Sequence, residues 1–250
     1  MKKIIICLVV GLLAAASAAS AQPNYQAVIG ADVHVSNLAF NHLFDNSGEG
    51  AQIKLWELVI HGKLNPTPDL MLLFTHALGT ALKANNPDFT EGAYVSTNYT
   101  QGALLYQFYA IDAMSVHAGL GYHFTHGHLK GLVEQQEQLI DNVYLEGSGF
   151  MASSHVTFNL MDNLEVKALI QAAPWYSWTF RKQGKDYNAG GSAYNYLLTA
   201  DYSFKDNLVL RIGLGGSRSA VDAFTVDDDY KIEPTTFKQG GLQIGVAYRF

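Results

Sequence analysis

Leu242-Gln-Ile-Gly-Val-Ala-Tyr-Arg-Phe250, the last nine residues of the chain, carries an apolar or aromatic side chain at every second position. Successive side chains of an extended strand point to opposite faces. Leu242, Ile244, Val246, Tyr248 and Phe250 therefore share one face, and Gln243, Gly245, Ala247 and Arg249 share the other. The first face suits lipid and the second suits a polar interior.

The opposite end of the chain reads as an export signal. Lys2 and Lys3 precede an apolar run from Ile4 to Ala16, and Ala19-Ser20-Ala21 is a small-x-small cleavage site. The expectation is a signal peptide over residues 1–21 and a mature domain over residues 22–250. Cys7 is the single cysteine and falls inside the signal, so disulfide and thiolate chemistry are excluded from the mature domain. After Ala21 no apolar run approaches the roughly 20 residues of a membrane helix. Charged residues are 15%, against roughly 25% in an average soluble domain. A surface largely out of water would explain that deficit. The formal charge is −6, and −8 once Lys2 and Lys3 are removed, which speaks against nucleic acid as a partner.

Polar turns recur at Asn65-Pro-Thr-Pro-Asp69, Ile111-Asp-Ala113, Met161-Asp-Asn163 and Lys205-Asp-Asn207, with their aspartates 43, 50 and 44 residues apart. That spacing accommodates two strands of about ten residues and one long loop. The loops are read at 37–50, 83–101, 127–147, 177–191 and 217–238. The strands are read at about 25–36, 52–64, 70–81, 102–110, 114–125, 149–160, 164–176, 192–204, 208–216 and 239–250. Their outward faces, such as Trp56, Leu58 and Ile60 or Leu164, Val166, Ala168 and Ile170, are expected to carry no Asp, Glu, Lys or Arg. Aromatics gather near the turns, as at Phe108, Phe158 and Phe204, and near the long loops, as at Tyr122, Phe150 and Tyr194. His76 breaks the pattern on the third strand, and a register slip or bulge there is the expected cause.

The closing strand and the turn-and-loop asymmetry resemble the outer-membrane β-barrel proteins of Gram-negative bacteria. The resemblance implies an all-β, antiparallel, up-and-down transmembrane barrel of about ten strands, within a range of 8 to 12. It also implies outer-membrane lipid, lipopolysaccharide and the barrel-assembly machinery as partners, with Tyr248 and Phe250 as the assembly signal. A soluble lipocalin-type barrel would invert the faces.

On the inward face stand Asp32, Glu57, Glu165 and Asp201 against Lys63, Lys167, Arg211 and Arg249. A three-residue turn after Phe204 would put Asp201 opposite Arg211. Such charges either brace a narrow barrel or line a pore. Inward histidines are read at 34, 61, 117, 123 and 155. His123, His126 and His128 could converge as nitrogen ligands, or stand as solvated histidines at a strand top. No metal or cofactor is assigned. The run Asp227-Asp-Asp229 lacks the spacing of an EF-hand loop and reads as an external loop.

Two catalytic patterns are weighed. A resemblance to the omptin proteases, which are also ten-stranded, would require acidic and acid-histidine pairs at the barrel mouth, and this chain offers only Asp32-Val-His34 on its first strand. His34-Val-Ser-Asn37 is similar to the His-x-Ser-Asn motif of lipid A deacylases but lies early in the chain. The expectation is therefore a protein that is not an enzyme. It acts as a porin-like narrow channel for small polar solutes, with a plugged, surface-binding barrel and an outer-membrane hydrolase as the two alternatives.

Overall fold

Alternation of side-chain character is the rule that the backbone follows throughout. The computed structural model describes residues 26–41, 51–81, 93–130, 132–133, 139–140, 142–204, 207–226 and 230–250. The signal at 1–21, Lys205 and Asp206 of the fourth turn, and Asp227-Asp-Asp229 lie outside the described residues. The strands are β1 (Gln26–Phe40), β2 (Ala51–Thr67), β3 (Leu70–Ala81), β4 (Tyr94–Ile111), β5 (Met114–Lys130), β6 (Leu132–Val133), β7 (Leu139–Ile140) and β8 (Val143–Met161). They continue with β9 (Leu164–Ala173), β10 (Ser177–Lys182), β11 (Lys185–Ala189), β12 (Gly191–Ser203), β13 (Leu208–Val221), β14 (Phe224–Val226), β15 (Tyr230–Ile232) and β16 (Thr235–Arg249).

Ten of them, β1 to β5, β8, β9, β12, β13 and β16, pair antiparallel in chain order. The last then returns to the first, from Val28 opposite Arg249 to Phe40 opposite Phe237. The sheet is a closed barrel with no free edge between first and last strands. The expected all-β barrel of ten strands is what forms.

The strands run further than expected at the long-loop end. β4 starts at Tyr94, β5 continues to Lys130, β8 begins at Val143 and β13 reaches Val221. The segment read as a loop at 177–191 is mostly a hairpin, β10–β11, with β10 also paired to β8. Gln183 (φ 52°) and Gly184 (φ 80°) form its two-residue turn, the double positive φ that a tight hairpin with right-handed twist needs. Arg181 and Asp186 face each other across it, with Nε donating to Oδ1 at 2.6 Å. This hydrogen bond holds the Asp186 carboxyl below its ordinary range. These segments escaped a reading based on polarity because their inward positions are apolar while their outward ones are wet.

Around the waist the outward side chains are apolar and exposed, among them Leu58, Leu120, Phe150, Ile170, Leu214 and Ile244. Two expectations about this face are corrected. Lys54 stands on the outward face of β2, opposite Asn37, at the long-loop end, so that face is not wholly free of charge. His76 does face outward, since β2 and β3 pair without a slip from Leu55–Ala81 to Leu64–Leu72 and the irregularity comes only beyond Leu64. It is tolerated because it is buried among its neighbours and its Nδ1 lies 2.8 Å from Thr100 Oγ1.

The barrel is narrow enough that inward glycines are required where strands coil tightly. A Cβ on Gly119 of β5 would run into the Leu104 carbonyl and come within 2.9 Å of the Leu105 Cα on β4. Gly119→Val is expected to prevent β4–β5 closure. Purified variant kept cold in SDS should lack the compact, fast-migrating band expected of the folded wild-type barrel.

Candidate functional site

The lumen is organised in three tiers. At the short-turn end lies an ion-pair floor built from β9, β12, β13, β16, β1 and β2. Asp201 is directly opposite Arg211, whose Nε donates to Oδ1 and Nη2 to Oδ2, both at 2.8 Å. Lys167 bridges the same Asp201 and Glu165, at 2.7 Å each. Glu165 also meets Arg249 at 3.4 Å, across two intervening strands. The Arg211 Nη1 reaches over β16 and β1 to within 2.7 Å of His61 Nε2 and 3.7 Å of Asp32 Oδ2. Lys63 lines the cavity beside this floor, in register through Val28 with Arg249. The structure thus joins six of the eight charged residues picked out from the sequence by ion pairs, places Lys63 beside them, and sets Glu57 apart. On the opposite wall, His117 and His155 face each other in register with ring centroids 6.3 Å apart.

Glu57 belongs to a middle tier that charge counting did not find. Its Oε2 lies 2.7 Å from His34 Nδ1 and accepts from Ser36 Oγ at 3.2 Å and Gln239 Nε2 at 2.7 Å. Gln243 donates to Asp32 at 3.3 Å, Gln171 to Ser153 at 3.1 Å, and Asn195 to Gln101 across the lumen at 3.5 Å. Glutamines and asparagines on an inward face were the available signal. The Ser36 hydrogen goes to the Glu57 carboxylate, and His34 Nε2 has no protein partner. His34 is therefore not the base on Ser36, and the histidine–serine pair of acyl transfer does not form. A cavity of about 230 Å³ runs through this tier, reaching Lys63, Lys167 and Arg211 at the floor and Leu129, Leu145 and Trp178 at the other end.

Above it the lumen is filled by an apolar plug. Phe40, Ile53, Leu55, Val95, Leu129, Val143, Leu145, Tyr176, Trp178, Phe180, Phe224 and Ile232 are all buried in one cluster. Phe180 stacks on Phe224 at 5.0 Å and 6°, and Trp178 packs between Tyr176 and Phe180. His123 is tied to this plug through Nδ1, 2.6 Å from Tyr176 Oη.

Of the two arrangements open to His123, His126 and His128, convergence does not form. His123 points inward, whereas His126 and His128, at the other parity of β5, point outward. His126 Nδ1 sits 3.5 Å from Glu146, and His128 stacks on Tyr144 at 4.2 Å with its Nε2 2.8 Å from Asn142 Oδ1. Among the described residues no group of three or more His, Cys, Asp or Glu could hold a metal ion.

Solved structures of outer-membrane proteins share this architecture. The chain is similar to the outer membrane protease OmpT of Escherichia coli, at 11% identity over 91% of this chain and 97% of that one, with a TM-score of 0.53. It is also similar to the translocator domain of the autotransporter NalP of Neisseria meningitidis, at 10% identity over 99% and 98% with a TM-score of 0.47. A third is Neisserial surface protein A, at 12% identity over 90% and 97% with a TM-score of 0.39. No protein-family model and no curated protein sequence matches the chain. The chain has the fold of the small outer-membrane β-barrels of Gram-negative bacteria.

Arg211 holds the floor together, so Arg211→Ala would leave Asp201 and Asp32 buried without it. The expected cost is about 3 to 5 kcal/mol, read as a lower urea midpoint for unfolding from lipid vesicles. Arg211→Met combined with Asp201→Asn should recover much of that loss.

Proposed function

We propose that this chain is an integral outer-membrane barrel whose lumen is closed, and that it works through the β-structure it raises above the membrane. The observation that carries the reading is the plug: the outer end of the barrel is filled with buried aromatic and aliphatic side chains where a diffusion pore would keep water. The ion-pair floor blocks the other end with charges already paired to each other.

Export by an N-terminal signal and insertion by the assembly machinery through Tyr248 and Phe250 are part of this proposal. So is contact with outer-membrane lipid around the waist. The working surface is the outward ladder above the waist, where Tyr94, His128 and Tyr144 pack ring to ring beside His126 and Glu146. Flat rings flanked by hydrogen-bonding groups suit sugar, so lipopolysaccharide or a glycosylated surface is the partner class that fits. The protein is proposed not to be an enzyme. The outer end, where acidic and histidine pairs would be needed for an omptin-like protease, is apolar, and the Ser36 hydroxyl is turned to Glu57 and not to His34.

A narrow channel for small polar solutes is the second reading, favoured by the polar middle tier and its cavity. It requires the plug to open. Single-channel recording in planar bilayers separates the two: wild type is expected to stay silent, and a Trp178→Ala, Phe180→Ala, Phe224→Ala variant to conduct. Steady conductance from the wild type would replace the closed-barrel reading with the channel. Membrane insertion has its own test at Ile170, an exposed waist residue. Ile170→Arg should lower stability in vesicles by about 2 to 4 kcal/mol, while an added charge in the hairpin turn at Gln183 should cost little.

A further inference from the structure

The middle-tier cavity gathers buried polar atoms that no protein group satisfies. Glu57 Oε1, His34 Nε2, Thr97 Oγ1, Gln171 Oε1 and Trp178 Nε1 have no hydrogen-bond partner, and all five residues line this one cavity. Folded proteins leave few such atoms, and each carries a desolvation cost. Five around one space point to a molecule that would supply the missing partners.

The charge of that molecule follows from Glu57. Of the four inward carboxylates, Asp32, Glu165 and Asp201 each have a lysine or arginine within ion-pair distance. Glu57 is the exception among the described residues. Its partners, His34, Ser36 and Gln239, all crowd onto Oε2, and the side chain is 1% exposed. A buried carboxylate without a permanent cation favours a positively charged ligand. The cavity's cations stand at its floor end, where Lys167 and Arg211 are already paired with Asp201 and Lys63 is six residues along β2 from Glu57; beside Glu57 itself an anion would meet that carboxylate, and a neutral alcohol would satisfy one acceptor while leaving the charge unpaired.

The body of the ligand is set by the roof. Leu38, Val95, Leu129, Leu145, Trp178 and Phe237 cover the cavity with apolar and aromatic surface. Tyr99 and Trp178, both on the cavity wall, add aromatic surface to it. A volume of about 230 Å³ exceeds the roughly 150 Å³ that holds a benzene, so one ring with a short chain fits.

We propose that the lumen is a binding site for a small aromatic or aliphatic amine, with its ammonium on Glu57 Oε1 and its apolar body beneath Trp178 and Phe237. The inference rests on the closed-lumen reading, because an open, water-filled bore would solvate Glu57. The two fail separately: bilayer conductance reports on the lumen, and ligand titration reports on the site.

The test is isothermal calorimetry on purified full-length barrel in detergent micelles at neutral pH, with empty micelles subtracted. The probes are 2-phenylethylamine and its uncharged counterpart 2-phenylethanol. The amine should bind wild type saturably and at least about tenfold tighter than the alcohol. Glu57→Gln should weaken the amine by about tenfold or more while leaving the alcohol unchanged. Thr125→Trp, which puts a ring into the cavity, should abolish both. Each variant is accepted as folded by its compact band on cold SDS gels. The comparison of the two probes on wild type needs no variant at all. Absence of saturable heat with the amine, equal affinity for amine and alcohol, or an unchanged amine affinity in Glu57→Gln would each overturn the site.

Discussion

Closure of β1 onto β16 is the constraint on which the rest of the structure depends. Within hydrocarbon every backbone N–H and C=O needs a partner, and a sheet meets that demand only when its last strand bonds its first. Thirteen residue pairs, from Val28–Arg249 to Phe40–Phe237, make the seam. Bringing the ends together at ten strands sets the bore, and a narrow bore forces inward side chains from strands well apart in the sheet into contact. Arg211 on β13 can therefore touch His61 on β2, and Arg249 on β16 can touch Glu165 on β9. The floor is a product of barrel diameter as much as of residue choice.

The same diameter explains why the two ends of the lumen are filled by different chemistry. At the waist the outer face must be apolar, so alternation leaves the inner face for the polar residues, and buried charges there have to find each other. Above the waist the outer face meets water and can be polar, as at Lys54, Glu146 and Arg218. The inner face is then free to be a hydrophobic core of ordinary kind, and that is what Ile53, Leu55, Val95, Val143 and Phe180 build. The barrel is thus inside-out at the waist and right side out above it, with the switch occurring along single continuous strands such as β2 and β8.

This inversion also decides what could be read in the sequence. The waist was legible because lipid imposes a one-sided rule, and strand number, the short turns at Asp69, Asp112 and Asp162 and the pairing of Asp201 with Arg211 all follow from it. The upper strands obey the opposite rule, and a reading keyed to apolar outward faces stopped at Gly102, Thr125 and Gly149 although pairing continues well beyond them. Parity was visible at His123, His126 and His128, whose odd and even positions already separate one from the other two. The grouping of Glu57 with His34, Ser36 and Gln239 was out of reach, because it depends on which strand closes against β1, a pairing separated by 203 residues between Ser36 and Gln239.

The sharpest departure from simple alternation also accounts for the plug. Along β9 the inward positions are odd, Glu165, Lys167, Leu169 and Gln171, and along β10 they are even, Trp178 and Phe180, with Tyr176 at the approach. The change falls at Pro174-Trp175. Proline has no N–H to give the ladder, so regular pairing lapses there, and it resumes when the Tyr176 N–H donates to the Gly191 carbonyl at 2.9 Å. Trp175 is left on the outside, 85% exposed. Had parity continued unbroken, Tyr176, Trp178 and Phe180 would face outward and Ser177, Thr179 and Arg181 would line the lumen, making its outer end polar. One interruption of the ladder at Pro174 thus turns three aromatic residues inward, and with them the outer end of the barrel changes from a wet bore into a core.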